Sequence, residues 1–172
     1  MPNSTCIIGG TEDDHDLSQE GRSSYPGHSD DNGPSMLILT GPNYSGKSVY
    51  LKQVALIVYM AHIGCFVPAQ SARIGLTDKI LCRVTTRESV SRTQSAFMID
   101  LQQMSLALSL ATPRSLLIID EFGKGTDSSD GAALACAIFK YLLRLEHNSP
   151  KVIGATHFHG KPIERYPCFD LM

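Results

Sequence analysis

Residues 36–54 read MLILTGPNYSGKSVYLKQV. The apolar start of this stretch, MLIL, stops just before Gly41, and apolar residues at helical spacing resume after Lys47. Residues 41–48 fit the pattern G-x-x-x-x-G-K-[ST] of a phosphate-binding loop, in the context between a strand and a helix that such a loop requires. Glycines let the backbone wrap so that successive N–H groups point at phosphate oxygens, and the following helix presents its positive N-terminus. The stretch therefore predicts a nucleotide-binding turn.

Phosphoryl transfer needs groups on both sides of the phosphates, and a second stretch provides the other side. In the loop, Lys47 would bridge the outer phosphates and the Ser48 hydroxyl would ligate Mg²⁺. The run LLIIDE, residues 116–121, reads as a buried strand that ends in two acids. Asp120 would hold Mg²⁺ through its water shell, and Glu121 would act as the general base toward water.

The sequence predicts further residues around the nucleotide. The residues expected to surround the phosphates are Gly41, Pro42, Asn43, Tyr44, Ser45, Gly46, Lys47, Ser48 and Val49. His157, in GATHFH, closes the last predicted strand. A histidine there could bond a γ-phosphate or the attacking water, or be structural. We favour the functional interpretation for His157 and the structural one for His62 and His159.

Apolar runs and helical patterns alternate along the chain. The predicted strands are residues 36–40, 79–84, 115–120 and 151–156. Apolar side chains at helical spacing, which predict three helices, are Leu51, Val54, Ala55 and Val58, then Phe97, Leu101, Met104 and Leu108, then Leu134, Ala137, Ile138, Tyr141 and Leu142. This alternation predicts an α/β fold with a mostly parallel central sheet covered by helices. Ligands of such folds lie at the carboxyl ends of the strands, where the motifs above fall.

Charge and composition divide the chain of 172 residues, which fits one domain. Residues 9–35 hold seven acids against one base, Arg22, and have almost no apolar content. We expect residues 1–35 to form an N-terminal segment with a disordered acidic insertion, and residues 36–160 to form the domain. The net charge of −2 leaves the rest of the chain only mildly basic, too weak on its own to argue for nucleic-acid binding.

Cysteines and apolar segments narrow the cellular setting. The five cysteines, Cys6, Cys65, Cys82, Cys136 and Cys168, form no CxxC pair, which predicts free thiols in a reducing compartment. Most of them stand next to apolar residues in sequence, which predicts that they are mostly buried. Residues 53–72 contain no formally charged residue, but their dense apolar part is shorter than the roughly 20 residues of a membrane span. We interpret them as a buried helix and turn, and expect no membrane association. The absence of a signal-peptide pattern at the N-terminus predicts a cytosolic or nuclear protein.

Several stretches together resemble one family. TGPNYSGKS, FVPAQSARIGLTDKI, SAFMIDL, IDEFGKGTDSSDG and ATH are similar, in order and spacing, to the ATPase domain of MutS-type DNA mismatch repair proteins. The resemblance implies a P-loop NTPase of the ABC type that takes ATP and Mg²⁺ and works as a dimer with composite sites. On that pattern Ser95 would reach the γ-phosphate bound by the partner subunit, with Asn43 and residues 123–130 at the subunit junction. ATP would drive a clamp-like change on DNA.

Departures from the common family pattern point to a subgroup. The family loop usually reads GPNMGGKST and has leucine or isoleucine before Gly123; the departures here are Tyr44, Ser45, Val49 and Phe122. They are most similar to the meiotic crossover member, the fifth eukaryotic MutS homologue. This implies a nuclear protein that pairs with a second MutS-type subunit, the fourth homologue, and reaches DNA through domains absent from this chain. Residues 161–172 replace the expected continuation, which suggests a divergent or truncated tail.

Two alternatives remain open at this point. Other ABC-type ATPases carry an LSGGQ-like signature before the acidic strand, whereas this chain has TQSAFMIDL there. The second alternative is a nucleotide-binding module that switches partner binding without turnover. The presence of Lys47, Ser48, Asp120 and Glu121 favours hydrolysis in an assembled dimer, although the isolated chain could behave as the inert module.

Overall fold

The computed structural model describes residues 5–7, 34–83 and 96–157. Within these ranges four strands form one sheet: β1 (Met36–Thr40), β2 (Ile80–Arg83), β3 (Leu116–Asp120) and β4 (Lys151–Thr156). Their order is β1-β4-β3-β2, and every neighbouring pair is parallel. The predicted parallel α/β sheet is thus confirmed.

Three helices cover the sheet: α1 (Lys47–His62), α2 (Ala96–Leu110) and α3 (Ser128–Leu143), followed by a short 3₁₀ turn at Glu146–Asn148. Side chains alternate across β3, which is buried along its whole length. Leu116 and Ile118 point to a cluster with Leu51 of α1, whereas Leu117 and Ile119 point to a cluster with α2 and α3. The sheet is therefore the middle of three layers, and all four strands end at the same edge. Within the described ranges no helix is long and apolar enough to cross a membrane.

Two expectations about burial are wrong. Helix α1 was expected to be buried, but only Leu51 is fully enclosed, and Leu56, Tyr59 and Ile63 near its outer face are exposed. The reason is that the sheet covers only one face of a helix that packs on it, and the opposite face remains exposed to solvent.

The cysteines were expected to be mostly buried, yet of the four in the described part of the chain only Cys136 is. Cys82 is exposed on the edge strand β2, and Cys65 is exposed in the turn after α1. Cys6 is exposed as well. An apolar neighbour in sequence was therefore a poor guide to burial of these thiols.

Several predictions lie outside the described residues. They are the acidic insertion up to residue 33, Ser95, His159, Cys168 and the tail at 161–172.

Candidate nucleotide site

The loop that joins β1 to α1 lies at the carboxyl end of β1, as the phosphate-loop motif requires. Gly46 precedes the helix with φ of 92°, a left-handed conformation that favours glycine. Helix α1 has no side-chain cap on its first turn and no acid within it. By contrast, α3 is capped by the Asp127 carboxylate, which accepts a hydrogen bond from the Ser129 amide. Of these two helix starts, α1 is the one shaped to receive an anion.

Lys47 crosses the loop that it terminates. Its Nζ donates hydrogen bonds to the carbonyl oxygens of Gly41 and Pro42, each at 2.8 Å. The ammonium group is therefore held over the concave side of the loop by weak, neutral acceptors. A phosphate oxygen is a stronger acceptor for an ammonium group than a carbonyl oxygen, so this arrangement suits an exchange of partners when an anion arrives.

The two predicted metal ligands are brought together from positions far apart in sequence. Ser48 Oγ donates a hydrogen bond to Asp120 Oδ1 at 3.0 Å, which joins the first turn of α1 to the end of β3. Asp120 is only 3% exposed. A hydroxyl and a carboxylate at this separation are the hard oxygen ligands that Mg²⁺ prefers, and Mg²⁺ commonly completes its shell with phosphate oxygens and water. The residues present therefore fit a magnesium nucleotide.

Glu121 follows directly, in an unusual backbone conformation with φ of 48°. Its amide donates to the Ala155 carbonyl at 2.9 Å, and its Oε2 accepts a hydrogen bond from Lys124 Nζ at 2.8 Å. That bond, opposed by partial burial and aided by the charges of Lys124, His157 and Lys47, lowers the pKa of the Glu121 carboxyl. The carboxylate is thus ionised, and it is already paired.

The other residues predicted for the site differ in how close they lie to Asp120 and Glu121. His157 directly follows β4 and is half-buried, and Glu121 directly follows the neighbouring strand β3, so both lie at the same end of the sheet. The loop residues Pro42, Asn43, Tyr44 and Ser45 are exposed, as is Val49 in the first turn of α1. The structural prediction for His62 agrees with its contacts, because its ring joins the Val58 carbonyl to the Thr77 amide. Ser95 is the residue just before α2 and lies outside the described ranges.

Sequence reasoning missed Lys124 and Arg83. Lys124 is the partner of the proposed base. Arg83 ends β2, is fully buried, and forms an ion pair with Asp100 of α2. The signal for Arg83 was present, since an arginine inside a predicted buried strand requires a buried partner. The partner could not be chosen from sequence alone.

Comparison with known proteins gives a consistent result. The family model described as MutS domain V matches residues 37–164. The chain is 48% identical to MutS protein homolog 5 of Saccharomyces cerevisiae over 159 residues, which is 92% of this chain and 16% of that protein. It is 46% identical to DNA mismatch repair protein MutS of Borrelia turicatae over 139 residues, 81% of this chain and 16% of that protein. It is also 46% identical to the MutS protein of Caldicellulosiruptor saccharolyticus over 124 residues, 72% of this chain and 14% of that protein.

Proposed function

Because this chain belongs to the MutS family, whose domain V it carries, we propose that it binds ATP with Mg²⁺ and hydrolyses ATP as the ATPase domain of a MutS-type protein acting on DNA. The family prediction is confirmed, as is the similarity to the fifth homologue. The chain spans about a sixth of the length of the relatives that it matches, so the activity of a whole MutS-type protein is part of the proposal.

The observation that carries the proposal is the contact of Ser48 with Asp120. A hydrogen bond of 3.0 Å between a phosphate-loop hydroxyl and a carboxylate at the end of the central strand has the arrangement expected around magnesium in P-loop NTPases. When bound, Mg²⁺ would neutralise charge on the phosphate oxygens. Lys47 would leave the loop carbonyls for the outer phosphates, which the positive end of α1 also attracts.

Hydrolysis would use the groups next to Asp120. Glu121 would accept a proton from the attacking water, and His157 would orient that water or the γ-phosphate. The ion pair with Lys124 keeps the Glu121 carboxylate ionised, but it also lowers the pKa of that carboxyl and so weakens it as a base toward water. This feature favours a resting chain that binds nucleotide without turning it over, and it supports the proposal that turnover belongs to an assembled dimer.

The second subunit and the biological setting are proposed from the relatives. Ser95 would complete the site of a partner MutS-type subunit, and the fourth homologue is our candidate for that partner. Similarity to a yeast MutS protein homolog 5 supports a nuclear role in meiotic recombination. Similarity to bacterial mismatch repair MutS proteins supports the broader role on mismatched DNA.

The test is Mg²⁺-dependent ATP hydrolysis by the chain alone and mixed with a full-length MutS-type protein. We expect slow or no turnover by the chain alone. In the mixture, we expect turnover clearly above the sum of the rates of the chain and the full-length protein measured separately. No increase with any full-length MutS-type protein, despite ATP binding by the chain, would leave the inert nucleotide-binding module as the function.

Glu121→Gln tests the assignment of the base. The amide cannot accept the proton from water, so we expect ATP binding to persist. The turnover that this chain adds to that of the full-length protein should fall at least 100-fold. Glu146→Gln is a matched control, because Glu146 is also a glutamate at positive φ but is exposed in the 3₁₀ turn. Normal turnover by Glu121→Gln would remove Glu121 from the role of base.

A further inference from the structure

Arg83 is a buried arginine whose contacts converge on the carboxyl end of β3, where Asp120 and Glu121 lie. Its side chain is 2% exposed and forms an ion pair with the Asp100 carboxylate, on the second turn of α2. Another nitrogen of the same guanidinium donates to the main-chain carbonyl of Asp120. The guanidinium carbon also lies 5.8 Å from the centre of the Phe122 ring. One side chain therefore contacts a helix and both neighbours of Glu121.

These contacts hold the main chain where its direction changes. β3 ends at Asp120, and the next residue adopts φ of 48°, a conformation that needs support from its surroundings. The Arg83 guanidinium bonds the carbonyl of the peptide that joins Asp120 to Glu121. It therefore helps to set the direction in which both carboxylates leave the backbone.

The contacts of Arg83 with Asp100 and the Asp120 carbonyl are not an efficient way to stabilise the fold. Desolvation offsets most of the attraction within a buried ion pair, and an apolar pair of similar volume is often equally stable. In addition, Arg83 Nε has no hydrogen-bond partner among the described residues, which is itself unfavourable for a buried donor. Orientation is what an arginine with a planar, forked set of donors supplies and an apolar side chain cannot.

We propose that Arg83 is a positioning residue for the proposed ATP site, which joins α2 to the acidic end of β3 and sets Asp120 for Mg²⁺. The inference rests on the proposed function. The same contacts couple the position of α2 to the site. A shift of that helix would move the Asp100 carboxylate, and with it the Arg83 guanidinium and the Asp120 carbonyl. Residues that orient a metal ligand in this way typically change metal affinity by 10–100-fold when they are replaced.

The experiment compares ATP affinity in Mg²⁺ with ATP affinity in EDTA, by calorimetry on the whole chain, alongside thermal unfolding. In Arg83→Met/Asp100→Leu the ion pair is replaced by an apolar pair, so no buried charge is left unpaired and the variant should fold. Its unfolding temperature should fall only by the loss of the hydrogen bond to the Asp120 carbonyl. The gain in affinity that Mg²⁺ confers should nevertheless fall about 10-fold or more. Affinity in EDTA, which depends on the loop and Lys47, should be unchanged. Arg114→Met is the control, because Arg114 is exposed at the opposite end of β3.

The outcomes separate the two proposals. Wild-type chain that binds no ATP at all overturns the proposed function and the role of Arg83 with it. Wild-type binding that strengthens in Mg²⁺, with an equal gain in the folded double variant, overturns only the role of Arg83. If the double variant does not fold, Arg83→Lys decides the question. Lysine keeps the charge beside Asp100 but cannot reach the carboxylate and the carbonyl together, so an unchanged Mg²⁺ gain in folded Arg83→Lys would contradict the inference.

Discussion

Glu121, the proposed base, is held by contacts at both its main chain and its side chain. Its backbone conformation, with φ of 48°, is uncommon for a residue with a side chain. The Ala155 carbonyl holds its amide, and Lys124 holds its carboxylate at 2.8 Å. The carboxylate is thus fixed near Asp120 before any nucleotide binds, but its charge is already balanced.

The ion pair between Lys124 and Glu121 should make the stability of the fold depend on pH. The pairing lowers the pKa of Glu121, so its stabilisation is fully present above the pKa of the unfolded chain and is lost as pH falls through the lowered pKa of the folded state. Lys124→Met should therefore reduce the free energy of unfolding by about 0.5 kcal/mol at pH 7, because Lys124 is half exposed. The difference should shrink as the pH is lowered. Urea titrations at a series of pH values measure it.

Lys124→Arg is the matched control, since it retains the charge and should stay near the wild type at every pH. A deficit of Lys124→Met that is constant down to the lowest pH at which the chain folds would mean that packing, not the ion pair, is what the lysine contributes.

At the level of elements, helix α3 packs closely on strand β4 because Gly154 has no side chain. A side chain at Gly154 would place its Cβ 3.0 Å from Cζ of the Phe139 ring, closer than ordinary packing allows. Phe139 is buried in the cluster formed by α2, α3 and one face of the sheet. Gly154 is therefore needed for contact between a helix and a strand, and not for a turn.

Gly154→Ala should destabilise the fold. The added methyl forces the Phe139 ring to move within a packed core, and overpacking of this kind costs about 1–3 kcal/mol. Gly75→Ala is a suitable control, because nothing lies within 4 Å of its would-be Cβ and its φ is ordinary. Chemical denaturation of both variants measures the effect. Equal stability of the two would show that the Phe139 ring relaxes freely.

At the scale of the whole molecule, the parallel sheet and the site at its carboxyl edge were predictable for physical reasons. Short apolar runs buried on both faces identify central strands, and residues 36–40 and 151–156 were placed with the bounds that the structure has. The phosphate-loop motif and the acid at the end of a buried strand also predicted that Ser48 and Asp120 lie close together, which their hydrogen bond confirms.

Other features depend on contacts that no local pattern encodes. The position of β4 between β1 and β3 follows from how the crossovers pack, and it sets the Ala155 carbonyl against Glu121. Arg83 and Asp100 are far apart along the chain, so neither identifies the other. The exposed outer face of α1 was missed for the same reason, since the apolar content of a helix does not tell which of its faces is covered.

Binding of ATP phosphates by the loop from Gly41 to Ser48 underlies every role proposed for the site. Equilibrium binding of ATP in Mg²⁺ to the wild-type chain and to Lys47→Ala tests it most directly, with Lys52→Ala as the control because Lys52 is exposed on the same helix. We predict saturable binding by the wild type and by Lys52→Ala, and a loss of at least 10-fold in affinity for Lys47→Ala. Equal affinity of all three folded proteins, or no binding by the wild type, would show that this loop does not bind the phosphates of ATP.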